Sequence, residues 1–227
     1  MTELATSEIT SFEDFRSRVC ASFPPTLFRG EAKRYPTMKP KAGRLKDSQA
    51  DPLMAKVRER DCFEEFKLEC PPYAERGLSD WELLALGRHY GLPTRLLDWS
   101  YSPAVALFFA CEKHSSEDGR LLVWANVEPF RINTQVNPDP LSITGLKIWD
   151  PPRFSPRVDI QQSVFSVHPE PGNNALEDMK SLLIDYTVPA KLKGEMIRNL
   201  EQFGTSHRRL FPGLDSLCEW ISARKGY

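Results

Sequence analysis

The sequence predicts an α+β protein built as a single domain, and three observations lead to this prediction. The chain has 227 residues, 41% hydrophobic and 27% charged, which is the composition of a globular protein with enough apolar surface for a core. Segments with apolar residues at helical spacing alternate with short segments of period two. No internal repeat or low-complexity linker divides them. We therefore expect one domain over residues 1–227, with a small mixed or antiparallel sheet and flanking helices.

The first elements are a helix, a strand and a loop. Apolar residues at helical spacing predict a helix over residues 11–23, with Ser11 or Thr10 as its N-cap. A short strand follows in "PPTLFRGE". Residues 33–46 are rich in Lys and Arg and broken by prolines, so we expect an exposed loop there.

Two helices come next. The apolar residues of segment 51–70 recur at helical spacing. In "LSDWELLALGRHYG", Ser79 and Glu82 form a capping box, and Gly91 is placed to end the helix. We therefore expect the polar residues beyond Gly91 to begin a new element.

The middle of the chain predicts a strand, a buried helix and a second strand. "TRLLDWS" is the first strand and "GRLLVWANV" the second. Between them, "SPAVALFFACEKH" is nearly all apolar in its first turns, and Ser102 and Pro103 suit the N-cap and the first helical position. The two strands therefore flank a helix that belongs to the core.

The second half predicts fewer elements. Residues 128–156 are rich in proline, and we expect a long surface excursion. "RVDIQQSVFSV" and "SLLIDYTVP" alternate apolar and polar residues, as half-buried strands do. "AKLKGEMIRNLEQFG" predicts an amphipathic helix ending at Gly204, and "GLDSLCEWISARK" a final helix.

Composition and missing motifs count against several classes of function. A net charge of −1 disfavours a broad electrostatic contact with nucleic acid or membrane. No apolar run approaches the ~20 residues of a membrane span, and the five cysteines form no C-x-x-C pair, which favours reduced thiols and a cytoplasmic location. His114 and His168 lack partners at ligand spacing, so no metal is expected. Dinucleotide-fold and Walker motifs are absent from the sequence.

Three polar groupings at predicted strand ends are candidate sites. In the first, Arg29 offers a planar fork of donors suited to phosphate or carboxylate. Gly30 beside it permits close approach by a ligand or by a second backbone. A structural Arg29 paired with a buried carboxylate is the alternative.

The second grouping lies in "HYGLPTRLLDWSYSPAVALFFA". Strand alternation places Thr94 and Asp98 on one face and Arg95 on the other. A ligand site and a well-capped piece of scaffold both fit this stretch. Its candidate binding and catalytic residues are His89, Tyr90, Thr94, Arg95, Asp98 and Ser100.

The third grouping contains Arg157, Gln161, Gln162 and Phe165. If these residues lie on a strand, the adjacent glutamines point to opposite faces, so one amide is buried. A buried amide needs hydrogen-bond partners, which a ligand or a loop backbone can supply.

"LFRGE", "HYGLPTRLLDWSYSPAVALFFA", "RVDIQQSVF" and "LFPGLDSL" together resemble the FRG-domain family, named for its Phe/Tyr-Arg-Gly motif. The resemblance runs from about residue 27 to about residue 217. Ser100 stands where threonine is common in that family, and Ser163 where glycine is common.

The order of these motifs is also similar to that of ADP-ribosyltransferases, which implies NAD as substrate and a split sheet. By this analogy Arg29, Gly30 and the hydroxyls of Thr94 and Ser100 hold the cofactor, together with Tyr90, Arg95, Arg157 and Phe165. Gln161, Asp98 and His89 are the implied catalytic residues. With a glutamine in place of the usual glutamate, three alternatives are open: Asp98 or another acid supplies the negative charge, the enzyme is slow, or the protein binds without catalysis.

The resemblance implies an NAD-consuming ADP-ribosyltransferase with an unknown acceptor, as a bacterial toxin or anti-phage effector. Two alternatives remain: a nucleotide or nucleic-acid binding module without chemistry, using the loop 33–46, and an interaction scaffold. The sequence does not determine the oligomeric state.

Overall fold

The computed structural model describes residues 6–21, 26–44 and 51–226, without the side chains of residues 215 and 223. Residues 22 and 23 of the predicted first helix lie outside these ranges, as do residues 45 and 46 of the predicted basic loop.

The strands in the described part of the chain form one mixed sheet. They are β1 (Thr6–Glu8), β2 (Thr26–Glu31), β3 (Leu96–Ser100), β4 (Gly119–Ala125), β5 (Lys147–Trp149), β6 (Ser163–Val167) and β7 (Leu183–Val188). Their order across the sheet is β1-β7-β4-β2-β3-β6-β5. Neighbours are antiparallel except β1 and β7, which run parallel. The predicted α+β class is confirmed. The prediction left a mixed or an antiparallel sheet open, and the sheet is mixed.

The helices surround this sheet. They are α1 (Phe12–Arg18), α2 (Pro52–Glu69), α3 (Asp80–His89), α4 (Pro103–Cys111), α5 (Pro156–Ile160), α6 (Ala175–Asp178), α7 (Ala190–Gln202), α8 (His207–Leu210) and α9 (Leu214–Lys225). Among the helices within the described ranges, none is both long enough and apolar enough to cross a membrane.

Local capping explains where the main helices begin. Ser11 accepts a hydrogen bond from the backbone N–H of Asp14 at the start of α1. Ser79 and Glu82 form the predicted capping box of α3. The Ser102 side chain accepts from the backbone N–H of Val105, and Pro103 is the first residue of α4. Each cap satisfies a backbone donor that the helix leaves free, which is why these starts were predictable.

Two predictions for the second half were wrong. The proline-rich residues 128–156 include the buried strand β5, whose Trp149 packs against Trp81 and Phe165. The stretch "RVDIQQSVFSV" is not one strand, because Ser155 caps the short helix α5 and β6 begins at Ser163. A serine followed by a proline is a helix start, and this local signal prevails over the period-two pattern.

The helices on one face of the sheet fall into two groups. Over β2, β4 and β7 lie α1, α4 and α7, with a core that includes Phe28, Phe108 and Leu121. Over β3, β5 and β6 lie α2 and α3, with a core that includes Trp81 and Phe165. The boundary between the two groups therefore lies above β2 and β3.

Gly30 brings helix α4 close to the sheet. A Cβ atom built on Gly30 would lie 1.8 Å from the backbone oxygen of Ala106. Gly119 on β4 meets the same helix, with its Cβ position 2.3 Å from the oxygen of Ala110. Of the two uses predicted for Gly30, the structure shows the second: it admits another backbone.

The central strands β2 and β3 are joined at a single described position. Phe28 pairs with Ser100, whereas β2 pairs with β4 over the whole length of β2. The Arg29 side chain reaches the backbone carbonyl of Asp98, with Nη1 2.8 Å from that oxygen. The sheet therefore opens beyond Phe28, and a cleft forms there.

Candidate functional site

The cleft contains a cavity of about 300 Å³. Strands β2 and β3 form its floor, and the end of α3, the first turns of α4, and α5 form its walls. Its lining residues are Phe28, Arg29, Gly30, Arg88, His89, Gly91, Asp98, Trp99, Ser100, Val105, Ala106, Phe109, Arg157, Gln161 and Ser163. Three arginines and one carboxylate are among these described residues, so the cavity is cationic.

The structure brings most of the predicted site residues together and separates others. Lining this first cavity are Arg29, Gly30, His89, Asp98, Ser100, Arg157 and Gln161. Four predicted residues do not line it: Tyr90, Thr94, Arg95 and Phe165. The three polar groupings therefore meet in space.

Arg95 and Thr94 belong to the core. The Arg95 side chain is 3% exposed and pairs with Glu59, with Nη2 2.8 Å from Oε2. Its Nη1 donates to the backbone oxygen of Leu141 at 2.9 Å. Thr94 is fully buried. Both residues therefore make scaffold contacts, and the fold does not bring them to this cavity.

Phe165 and Tyr90 also lie elsewhere. Phe165 is fully buried, with its ring stacked on Trp149 at a centroid distance of 5.8 Å. Tyr90 follows α3 and is 85% exposed. Neither ring is placed to stack on a ligand in this cavity.

Arg29 borders the cavity with its guanidinium already engaged. Nε and Nη2 donate to Glu31 at 3.4 and 3.3 Å, and Nη1 donates to the oxygen of Asp98. The structural alternative for this arginine, pairing with a buried carboxylate, is therefore present. Its contact with Asp98 also connects β2 to β3 at the edge of the cleft.

Asp98 supplies a negative charge to the cavity. Its carboxylate accepts a hydrogen bond from Nη2 of Arg88. Burial acts to raise the pKa of Asp98, but the guanidinium groups of Arg88 and Arg29 outweigh it and the pKa lies below its usual value. Asp98 is therefore ionised at neutral pH.

Arg157 is a cation without a carboxylate partner among the described residues. Nη1 donates to the backbone oxygen of His89 at 3.2 Å, and the guanidinium lies 5.1 Å from the ring centroid of Phe211. Burial lowers the pKa of Arg157, and Asp98 opposes this effect. Arginine nevertheless stays protonated in proteins, so this positive charge is partly desolvated and unpaired.

His89 is neutral in this site. Burial lowers the pKa of His89 to about 4, although Asp98 acts in the opposite direction. Its Nε2 atom is buried and has no hydrogen-bond partner among the described residues, and the same holds for Nε of Arg88 and of Arg157. A buried polar group without a partner costs about 1–3 kcal/mol. The first cavity thus gathers three such groups on residues of its wall.

Ser100 and Gln161 are hydrogen-bonded to each other, and Gln161 is also hydrogen-bonded to Leu210. The Ser100 hydroxyl donates to the backbone oxygen of Gln161 at 2.7 Å. Nε2 of Gln161 donates to the oxygen of Leu210 at 2.9 Å. Gln161 is buried, whereas Gln162 is exposed and has φ of 46°. Gln161 is therefore the inward-facing glutamine, and its side-chain amide donates a hydrogen bond within the fold.

Sequence reasoning missed Arg88 and Phe109. Arg88 precedes His89 in the last turn of α3, where a cation suits the helix end, so its position beside a predicted site residue was the available signal. Phe109 lies on α4 within an apolar run that gives no sign of a cavity wall.

A second cavity, of about 500 Å³, adjoins the first. The two share the residues Arg29, Gly30, Arg88 and Phe109. The second is also lined by Glu31, Ala32, Tyr35, Pro36, Thr37, Arg44 and Glu112. Within the described ranges, no group of three or more His, Cys, Asp or Glu is arranged to hold a metal ion.

Comparison with protein families assigns the class of this region. Residues 24–119 match the family model of the FRG domain. The FRG domain is therefore assigned to these matched residues, which supply β2, α3, β3 and α4 to the cavity. Arg157 and Gln161 lie beyond the matched residues. No curated protein and no solved structure matches the chain.

Proposed function

We propose that the first cavity binds the phosphate groups of a nucleotide, and that this nucleotide is NAD, consumed in ADP-ribosyl transfer. The observation that carries the proposal is Arg157, a partly desolvated cation on the cavity wall with no carboxylate partner among the described residues. A charge of this kind is stabilised by an anionic ligand, and a guanidinium fork matches phosphate oxygens.

Arg88 and His89 support the same ligand. Both line the cavity, and each has a buried nitrogen without a hydrogen-bond partner in the part of the chain that the structure describes. A neutral histidine donates one hydrogen bond without adding charge, so the diphosphate would be held chiefly by the two arginines. In this proposal Arg88 and Arg157 take the anchoring role that sequence analysis gave to Arg29.

Asp98 is the residue proposed to support the chemistry. In the transfer, the bond between C1′ of the nicotinamide ribose and the ring nitrogen breaks, and its electron pair goes to nicotinamide. C1′ then bonds to an atom of the acceptor, which loses a proton. An ionised carboxylate stabilises the positive charge that develops at C1′. Gln161 is engaged with Leu210, so we assign it a positioning role.

A nucleotide-binding module without chemistry is the second candidate. One observation favours it: the Asp98 carboxylate is already paired with Arg88, which reduces the negative charge available to a reaction. A toxin or anti-phage role would follow from the acceptor that is modified, and it belongs to the catalytic version of the proposal.

The test begins with binding. We expect NAD and ADP-ribose to raise the melting temperature, because a ligand of the folded state stabilises it. Arg157→Met should weaken binding at least tenfold with little effect on the melting temperature of the free protein. Arg153→Met is the matched control, since Arg153 is exposed and pairs with Asp159. If both variants bind NAD equally well, the proposed phosphate site at Arg157 is wrong.

Turnover is then measured as nicotinamide released from labelled NAD. We expect release by the unaltered protein and a loss of at least tenfold in Asp98→Asn, with NAD affinity retained. Binding without any release, in the presence of protein, RNA and DNA acceptors, would select the non-catalytic module.

A further inference from the structure

Glu112 is an unpaired carboxylate at the second cavity. It is the C-cap residue of α4, and its backbone N–H donates to Phe108. Its side chain lines the second cavity with Arg88 and Phe109. The carboxylate forms no hydrogen bond or ion pair with the described residues, whereas Glu31 in the same cavity pairs with Arg29 and Arg120.

The surroundings of Glu112 keep it available to accept a proton. Burial raises its pKa, and the positive charges of Lys113, His207 and Arg157 oppose this effect. A carboxylate whose pKa lies nearer to neutrality is a stronger base than an ordinary surface glutamate. The two cavities share a wall, so a group beside Glu112 borders a ligand held in the first cavity.

The rest of the second cavity suits a phosphate-bearing molecule. Arg44 lines it without a carboxylate partner among the described residues, beside Arg29 and Arg88, which pair with Glu31 and Asp98. Tyr35 adds an exposed ring. Burial is the main cause that lowers the pKa of Arg44, the charges of Arg29 and Arg88 add to it, and Glu31 opposes it.

The described part of the basic loop continues this surface. Lys33 and Arg34 have carboxylate partners, in Glu117 and Asp185. Lys39, Lys41 and Arg44 have no carboxylate partner among the described residues, although Lys41 donates to the backbone oxygen of Gly91 and Arg44 to that of Lys39. Unpaired Lys and Arg beside an aromatic ring are the features that bind single-stranded nucleic acid, through phosphates and base stacking.

We propose that the second cavity binds the acceptor of the transfer, a single-stranded nucleic acid, and that Glu112 removes the proton from its attacking atom. This inference rests on the proposed function. The attacking nitrogen or oxygen bonds to C1′ of the ribose as nicotinamide departs with the electron pair. Its proton passes to Glu112, which later releases it to water.

The experiment compares Glu112→Gln with Glu117→Gln. Glu117 is an exposed glutamate five residues away that pairs with Lys33 and His114, so it is the matched control. Labelled NAD is incubated with each protein and with single-stranded RNA and DNA oligonucleotides. NAD affinity, nicotinamide release and label on the oligonucleotide are measured separately.

We expect Glu112→Gln to bind NAD within twofold of the unaltered protein and to lose transfer about 10²–10⁴-fold, the usual contribution of a positioned base. Glu117→Gln should transfer normally. In the unaltered protein, the rate of transfer should fall as pH decreases through the raised pKa of Glu112.

Each of the other outcomes contradicts a different part of this proposal. Undiminished transfer by Glu112→Gln removes Glu112 as the base. Label on added protein instead of oligonucleotide removes the assigned acceptor. An unaltered protein that releases no nicotinamide overturns the proposed reaction itself and this inference with it, and this result is distinguishable because it needs no variant.

Discussion

Two arginines seven positions apart, Arg88 and Arg95, differ in how the fold uses their charge. Arg95 is 3% exposed, and its guanidinium is held by Glu59 and by the oxygen of Leu141. Arg88 is 19% exposed. Within the described ranges it has one carboxylate partner, Asp98, and its buried Nε has no hydrogen-bond partner. The first arrangement is complete in itself. In the second, a guanidinium N–H is still free to donate a hydrogen bond, and this arginine lines a cavity.

The comparison teaches that hydrogen-bond satisfaction, more than residue type, separates scaffold from candidate site. A buried ion pair with all its hydrogen bonds formed holds elements together, and here it connects α2 to the start of β3. A cation with an incomplete set of partners is stabilised when a ligand completes the set. Arg157 belongs with Arg88 in this respect.

The largest expected effect comes from breaking the complete pair. Arg95→Met leaves Glu59 buried without its partner, and we expect the free energy of unfolding to fall by about 3–5 kcal/mol. Urea denaturation measures this loss. The double variant Arg95→Met/Glu59→Leu should recover most of it, because no charge is then buried alone. A single variant that loses less than 1 kcal/mol would place Arg95 outside the scaffold.

The next effect concerns pH and the histidine of the cavity. Burial lowers the pKa of His89 to about 4 and of His168 to about 3, against about 6.5 in an unfolded chain. The folded state therefore binds fewer protons between these values, so this stability is complete above about pH 6.5 and is lost as the pH falls, to about 4 for His89 and about 3 for His168. For His89 alone the loss is about 3 kcal/mol, at 1.36 kcal/mol per pH unit.

Proton NMR of the two imidazoles sharpens the comparison. A bound phosphate should raise the pKa of His89, because a nearby anion stabilises its charged form. His168 lies on the opposite side of the sheet, hydrogen-bonded to Ser166, and should titrate as before. Equal shifts of the two histidines on adding NAD would contradict the location of the ligand.

A smaller effect is expected at the glycine beside the cavity. Gly30→Ala places a methyl group against the backbone of Ala106, and overpacking of this kind costs about 1–3 kcal/mol. Gly145→Ala is the control, since no atom of the described residues lies within 4 Å of its Cβ position. Thermal and urea unfolding measure both. Equal stability of the two variants would show that α4 moves freely away from β2.

The smallest effect on stability is expected for Arg88→Met. Its ion pair with Asp98 is partly exposed, and Arg29 and Arg157 still compensate the carboxylate, so we expect a change within about 1 kcal/mol. NAD affinity should nevertheless fall at least tenfold. Set beside Arg95→Met, this variant separates binding from folding. A large loss of stability with normal binding would reverse the assignment of the two arginines.

The sequence by itself determined the elements whose signals are local. The capping box at Ser79, the Ser-Pro start of α4 and the alternation in β3 act within about four residues, so they can be read without the fold. The FRG motif and the stretch from His89 were recognisable for the same reason. Strand β5 and helix α5 were missed because the tertiary contacts of Trp149 and a cap at Ser155 prevailed over composition.

The tertiary structure decided which of the recognised residues are free to bind. Glu59 lies 36 residues before Arg95, and Leu210 lies 49 residues after Gln161, so neither partner could be assigned from the pattern around it. Glu112 was one carboxylate among many in the sequence, and it became a candidate when the fold left it unpaired beside the cleft. Partners far apart along the chain meet through packing, and packing alone fixes which charges are satisfied.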